Sequence, residues 1–221
     1  MQDVIDRAGE PLKLTGDAGV GEQAALTDLC MQVMRVYSVS DDETHLTDMT
    51  EAFLRTLPHL DVQRHGDTLV ARTNLGRDRR VVLAGHLDVV PVIDNFPPKL
   101  LEPGDPLILP GVAEAHPGER VVWGRGATDM KSSDAVLLYL AATLTNPKYD
   151  LTYVFYDHEE VAAEKNGLRK VAEAAGDKSG IVMEVETTLE GVQLYTANFL
   201  SDRTGKGGAH YGPFGGFCLE T

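Results

Sequence analysis

The stretch VVLAGHLDVVP, from Val81 to Pro91, decides how the rest of the chain is interpreted. Its opening residues are apolar without alternation, which is typical of a central strand covered on both faces. The run ends at Gly85, where the missing side chain lets the backbone pass close to a site. His86 and Asp88 follow two positions apart, on the same side of an extended chain. The pattern predicts a polar site at the end of a buried strand.

Strand and helix patterns alternate along the chain on either side of this stretch. We expect the run at 68–73 to pair directly with the run at 80–85, and SVSDDE (38–43) to cap a helix. The Pro- and Gly-rich residues 91–118 predict a long surface loop. The alternation favours an α/β domain with a mainly parallel sheet flanked by helices. Further strands are predicted at 150–156 and 180–185, and helices at 25–37, 46–57, 130–144 and 161–176.

Composition excludes several classes of partner. The formal net charge of −14, from 34 acidic and 20 basic side chains, argues against nucleic acid and anionic membranes. Two cysteines, Cys30 and Cys218, are too few for a disulfide framework or a thiolate zinc cage. The first residues lack the apolar core of a signal peptide or membrane span, so we expect a cytoplasmic protein.

Ligand-type side chains follow three predicted strands. They are His86 and Asp88, the run Asp157–Glu160, and the pair Glu184 and Glu186, with Asp129 at a Gly-bearing turn before a helix. Ligands bind beyond the carboxyl ends of strands in open parallel sheets, and an imidazole with carboxylates suits zinc.

These residues leave some roles open. Asp88 can accept a hydrogen bond from the ring of His86, and of the adjacent Glu159 and Glu160 one can bind metal while the other takes a proton. Asp129 can also cap the helix that follows it. A phosphate-binding loop at 124–132 is rejected, because no glycine stands directly before Lys131.

Four motifs in order, GHLDVVP (85–91), GRGATDMKS (124–132), YDHEEVAAEKNGL (156–168) and Glu-Thr-Thr (186–188), resemble the di-zinc aminoacylase/carboxypeptidase family. The resemblance runs from about Leu26 to Thr188 and implies a zinc-exopeptidase-like catalytic domain. It also implies a role for each matching residue: His86 on the first zinc, Asp129 bridging two zincs, Glu160 on the second zinc, Asp88 orienting His86, and Glu159 as general base.

The resemblance also marks departures near the end of the chain. Glu186 matches the remaining carboxylate ligand, but the family's proline is absent there and Glu184 competes for the role. His210 matches a histidine of the family's lid that reaches the substrate. We therefore expect a leader at 1–21, an incomplete catalytic domain at 22–190, and a Gly-rich tail at 191–221 that resembles the start of a lid and dimerisation domain otherwise absent or vestigial.

The function implied by the resemblance is metal-dependent hydrolysis of an N-acyl amino acid. N-succinyl-diaminopimelate is the expected substrate, in lysine biosynthesis, with two zincs that cobalt can replace. Two alternatives stay open: a related enzyme acting on other N-acyl amino acids or dipeptides, and a truncated metal-binding fragment without catalysis. The resemblance also implies a homodimer, but we expect this chain to lack most of the dimerisation domain.

Overall fold

The computed structural model describes residues 11–14, 21–174, 193–195 and 218–220. The chain divides into two compact units, Met1–Gly176 and Asp177–Thr221. The described helices of the first unit are α1 (Glu22–Arg35), α2 (Thr44–Arg55), α3 (Pro110–Ala115), α4 (Lys131–Thr143) and α5 (Gly167–Ala174). Its described strands are β1 (Asp61–His65), β2 (Thr68–Arg72), β3 (Arg80–His86), β4 (Lys99–Leu101), β5 (Val121–Trp123) and β6 (Asp150–Tyr156).

Four strands form a mixed sheet in the order β1-β2-β6-β3. The β1–β2 and β2–β6 pairs are antiparallel, whereas β3 and β6 are parallel. A short turn at Gly66 joins β1 to β2, and the connection from β3 to β6 includes α4, as a parallel pair requires. The sheet with its packed helices confirms the α/β class, while the described pairs include more antiparallel than parallel pairing.

Two expectations about β3 fail. The 68–73 and 80–85 runs are strands, but β6 lies between them, so they are not neighbours. β3 lies at the edge of the described sheet, where Val82 is 59% exposed, so the described residues do not cover both of its faces. β6 is better covered, because six of its seven residues are buried and Tyr153 and Phe155 are fully so.

The Pro- and Gly-rich residues 91–118 contain more structure than a surface loop. As expected, they hold neither a long helix nor a strand of the main sheet, but they include β4 and the six-residue helix α3. β4 pairs antiparallel with β5 to form a separate two-stranded sheet.

The core forms where the apolar stripes of the helices meet the sheet. In α1, buried Leu29, Val33 and Met34 repeat with helical spacing, and α1 packs on α4. α2 contacts β1 and β2, and α4 contacts β3 and β6. These contacts fix the ends of β3 and β6 relative to the start of α4.

The described part of the second unit is a pair of antiparallel strands, β7 (Gln193–Tyr195) and β8 (Cys218–Glu220). Among the described residues of both units, no helix has the length and apolar character needed to cross a membrane.

Candidate metal centre

The parallel pairing of β3 and β6 brings their carboxyl ends to one edge of the sheet. His86, the last residue of β3, is in register with Tyr156, the last residue of β6. The amide of Leu87 donates to the carbonyl of Tyr156 and extends the pairing by one residue. The segments that follow the two strands therefore leave the sheet side by side.

Three predicted ligands meet at this edge. One ligand atom from each of His86, Asp129 and Glu160 lies within 4.8 Å of the other two. His86 Nε2 is 2.8 Å from Asp129 Oδ1. The His86 side chain is buried, whereas that of Asp129 is 67% exposed. Since the three residues come from β3, from the loop before α4 and from the turn after β6, the fold itself assembles the group.

The chemistry of this group fits a divalent metal. An imidazole and two carboxylates are the donor types that zinc and similar ions take from proteins. Burial, together with the nearby carboxylates of Asp129 and Glu159, raises the pKa of Glu160 above its ordinary value. A bound dication would offset that repulsion between carboxylates.

The ring of His86 is held at both nitrogens. Nδ1 lies 2.9 Å from the backbone carbonyl oxygen of Asp88 and 3.5 Å from its carboxylate, so the carbonyl is the nearer acceptor. Burial opposes protonation of the ring, but hydrogen bonds to Asp88 and Asp129 outweigh it and raise the pKa of His86 to about 9. An N–H at Nδ1 that donates to Asp88 leaves Nε2 as the atom that faces Asp129 and Glu160.

Asp88 is fully buried and connects three segments around the centre. Its carboxylate accepts hydrogen bonds from the Ser40 hydroxyl at 2.7 Å, the Glu159 amide at 2.9 Å and the Glu160 amide at 3.0 Å. Burial alone would raise the pKa of Asp88, but hydrogen bonds from His86, Ser40 and the two amides lower it to about 2. Asp88 thus fixes the backbone of Glu159 and Glu160, called the acidic pair below, in addition to contacting His86.

Gly85 lets β3 pack closely against α4. A Cβ at this position would lie 2.2 Å from Asp134 Oδ1 and 3.2 Å from Leu137 Cδ1. Asp134 is fully buried, and neither of its oxygens has a hydrogen-bond partner among the described residues. Burial raises the pKa of Asp134 well above its ordinary value.

Sequence reasoning did not single out Asp134, Lys131, Ser38 or Ser40. Asp134 carried a usable signal, because it lies three residues before Leu137 on the buried stripe of α4. Lys131 is buried and donates from Nζ to the carbonyl of Val36, and burial lowers its pKa to about 7. The segment SVSDDE (38–43) is expected to cap a helix, but α2 begins without a side-chain cap among its described contacts. Instead, the Ser38 hydroxyl donates to the Leu87 carbonyl, and Ser40 bonds Asp88.

The remaining predicted site residues divide into two groups. Glu159 precedes Glu160 and has an exposed side chain, and its amide donates a hydrogen bond to Asp88. Glu184, Glu186 and His210 lie outside the described residues.

Among the curated proteins that match this chain are relatives with different names. A Mycobacterium tuberculosis protein provisionally named succinyl-diaminopimelate desuccinylase is 41% identical over 169 residues, covering 76% of this chain and 39% of that protein. The chain thus spans about two fifths of the length of this relative. Human galactose mutarotase is 47% identical over 70 residues, which cover 30% of this chain and 20% of that enzyme. That share is too small to assign the chain to the mutarotase's family.

A solved structure and a family model also match this chain. The crystal structure of human carnosine dipeptidase 1 matches 71% of this chain and 36% of its own, with a TM-score of 0.50 and 18% identity, which supports the fold alone. Residues 82–199, more than half of the 221, match the model for peptidase family M20/M25/M40 and include His86, Asp129 and Glu160. The chain therefore belongs to peptidase family M20/M25/M40.

Proposed function

We propose that this protein is a metal-dependent amidohydrolase with its metal centre at His86, Asp129 and Glu160. The observation that carries the proposal is the convergence of these three ligand atoms within 4.8 Å, from three segments far apart in the chain. Membership of a peptidase family supports the same class of reaction. A metal at this position lies at the carboxyl edge of the β3–β6 pair, where α/β folds bind their ligands.

The metal content that we propose is zinc, two ions per site, with cobalt as a substitute. Asp129 would bridge the ions, His86 would bind the first and Glu160 the second. Glu186 would complete the first site, with Glu184 as its competitor. When bound, zinc supplies Lewis acidity, which polarises the amide carbonyl and makes a water molecule more acidic.

Glu159 is the residue to which we assign proton transfer. Its carboxylate takes a proton from the attacking water as the new C–O bond forms at the amide carbon. The C–N bond then breaks, and the same proton passes to the leaving amine. Asp88 keeps Glu159 in place, because its carboxylate accepts the Glu159 amide hydrogen at 2.9 Å. The products are a carboxylic acid and a free amine.

The substrate that we propose is N-succinyl-diaminopimelate, with succinate and diaminopimelate as products. The support is the name of the M. tuberculosis relative, which is 41% identical over 76% of this chain. His210 would contact the substrate, and the protein would serve lysine biosynthesis in the cytoplasm.

The experiment that tests this function uses metal-stripped protein reconstituted with zinc. Hydrolysis of N-succinyl-diaminopimelate is followed together with zinc content, in wild type, Glu159→Gln and the matched control Glu119→Gln. Glu119 is an exposed residue outside the centre, with a side chain 66% exposed. We expect Glu159→Gln to lose on the order of 10²–10⁴ in kcat while keeping its zinc, and the control to match wild type.

Other outcomes would replace the proposal. Faster turnover of N-acetyl amino acids or dipeptides than of the succinylated substrate would overturn the substrate and leave a related aminoacylase or dipeptidase. Zinc binding without cleavage of any of these amides would contradict the enzymatic function. Absence of zinc binding would contradict the metal centre itself.

A further inference from the structure

The turn that carries the acidic pair passes through a strained residue. His158 has φ of 60°, in the left-handed region that non-glycine residues seldom adopt. It stands between Asp157, just after β6, and Glu159. A left-handed residue at this position redirects the backbone, and the two amides that follow point at the carboxylate of Asp88. Something must hold His158 in this conformation, because its own sterics disfavour it.

The imidazole of His158 is bonded at both of its nitrogens. Nδ1 is 2.5 Å from Asp157 Oδ2, and Nε2 is 3.0 Å from Asp41 Oδ1. A third carboxylate, Glu43 Oε1, lies 3.7 Å from Nδ1, and its side chain is 1% exposed. The ring is therefore fixed by acidic groups from its own turn and from the α1–α2 connection.

Each partner of His158 is itself anchored. The Thr68 hydroxyl, at the start of β2, donates to Asp157 Oδ1. Asp41 receives Lys165 Nζ at 2.6 Å and also has a positive φ, 73°. Its connection is tied to the exit of β3, where Val39 bridges Val89. The exits of both parallel strands are thus joined through one imidazole.

We infer that His158 is a positioning residue for the metal centre. Its two hydrogen bonds hold the turn in the conformation that presents Glu160 to His86 and Asp129 and leaves Glu159 beside them. This inference rests on the proposed function, since it concerns how that centre is assembled. The side chain reaches Asp41 and Asp157 rather than the ligand group, so its effect passes through the backbone of the turn.

The test separates the hydrogen bonds from the backbone conformation. In His158→Gly, glycine accepts the positive φ but cannot make either bond. Asp41→Gly removes the outer acceptor, whose side chain is 62% exposed, at a position where positive φ is again tolerated. His116→Gln is the matched control, because His116 follows α3 and its side chain is 59% exposed.

Three readouts are taken on the full chain: zinc affinity by chelator competition, the visible spectrum of the cobalt-substituted protein, and the Tm of the metal-free protein. We expect His158→Gly and Asp41→Gly each to weaken zinc binding about tenfold and to change the cobalt spectrum. The loss of zinc affinity in the double variant should be smaller than the two single losses combined, because the His158–Asp41 hydrogen bond is lost in both single variants. The control should match wild type in zinc affinity and spectrum.

The outcomes distinguish this inference from the proposed function. Wild-type zinc affinity and an unchanged cobalt spectrum in His158→Gly would overturn the positioning role, as would a lowered Tm with zinc affinity retained. If wild type binds no zinc, the proposed metal centre fails first.

Discussion

Asp88 and Asp150 lie at opposite ends of the parallel β3–β6 pair, Asp88 at the carboxyl edge of the sheet and Asp150 at the amino edge. Both have a pKa lowered to about 2. Each carboxylate accepts backbone N–H bonds, so the local chemistry is similar. Asp150 takes its bonds from the Thr73 hydroxyl and the amides of Leu75 and Arg77, each at 2.8 Å. All of these partners belong to the connection between β2 and β3.

The partners of Asp88 come from separate parts of the chain. They are Ser40 before α2, His86 at the end of β3, and the amides of the acidic pair after β6. Asp150 therefore closes one local loop, whereas Asp88 joins the segments that carry the candidate ligands. A hydrogen-bonded carboxylate can thus stabilise the fold at one edge and organise a candidate site at the other.

The largest expected effect is on metal binding at the Asp88 edge. Asp129→Ala removes the carboxylate 2.8 Å from His86 Nε2, and we expect zinc affinity to fall by more than about 100-fold, beyond the usual effect of changing a supporting residue. The Tm of the metal-free protein should hardly change, because the Asp129 side chain is 67% exposed. Isothermal titration with zinc and thermal unfolding measure the two quantities. Wild-type zinc affinity in this variant would remove Asp129 from the centre.

At the opposite edge, the expected effect is on stability alone. Asp150→Asn places an amide NH₂ where backbone and hydroxyl donors need an acceptor, so we expect the Tm to fall by several degrees. Zinc affinity of the folded protein should match wild type, since Asp150 begins β6, whereas His86 is the last residue of β3 and Glu160 follows the end of β6. A loss of zinc affinity comparable to that of Asp129→Ala would break the comparison between the two edges.

Acid titration of stability tests whether Asp150 stabilises the fold as an anion. The pKa of Asp150 in the folded protein, about 2, lies below the ordinary value of about 3.9 expected in the unfolded chain. Its contribution is therefore fully present above about pH 4 and is lost as the pH falls toward 2. Urea unfolding of the metal-free protein at pH 5.5 and pH 3 should show a smaller acid loss of stability in Asp150→Asn than in wild type. Equal losses in both proteins would mean that Asp150 is not stabilised as an anion.

The smallest expected effect comes from removing one of the donors to Asp88. Ser40→Ala deletes the hydroxyl 2.7 Å from Asp88 Oδ2, and we expect zinc affinity to fall about threefold, the equivalent of part of one net hydrogen bond. Ser133→Ala is the matched control, because Ser133 is exposed on α4. Identical zinc affinity in Ser40→Ala and the control would show that Asp88 stays in place without Ser40.

Much of the fold followed from local patterns in the sequence. Apolar runs located β3 and β6, helical spacing located α1, α2 and α4, and the α/β class is confirmed by the sheet and its helices. The predicted pairing of the 68–73 and 80–85 runs was wrong, because the insertion of β6 between β2 and β3 depends on contacts between residues far apart in the chain. The apolar content of β3 suggested a central strand, yet β6 is the better covered strand.

The candidate site was predicted in part. His86, Asp129 and the run Asp157–Glu160 stood out because ligand-type residues follow a strand or a tight turn in the sequence. The family resemblance then assigned Glu160 as the ligand of that run, and the structure brings it together with His86 and Asp129. Ser40 and Asp134 did not stand out. A serine in an acidic run and an aspartate within a helix have ordinary local explanations, and only tertiary packing puts Ser40 on Asp88 and Asp134 against Gly85.

The most direct test of the central claim is an anomalous difference map from zinc-reconstituted crystals, recorded on both sides of the zinc absorption edge. The account predicts zinc density bounded by His86 Nε2, the Asp129 carboxylate and the Glu160 carboxylate, with ligand distances of about 2.0–2.2 Å. Zinc bound elsewhere on the chain, with no density at these three residues, would contradict the assignment of the metal centre.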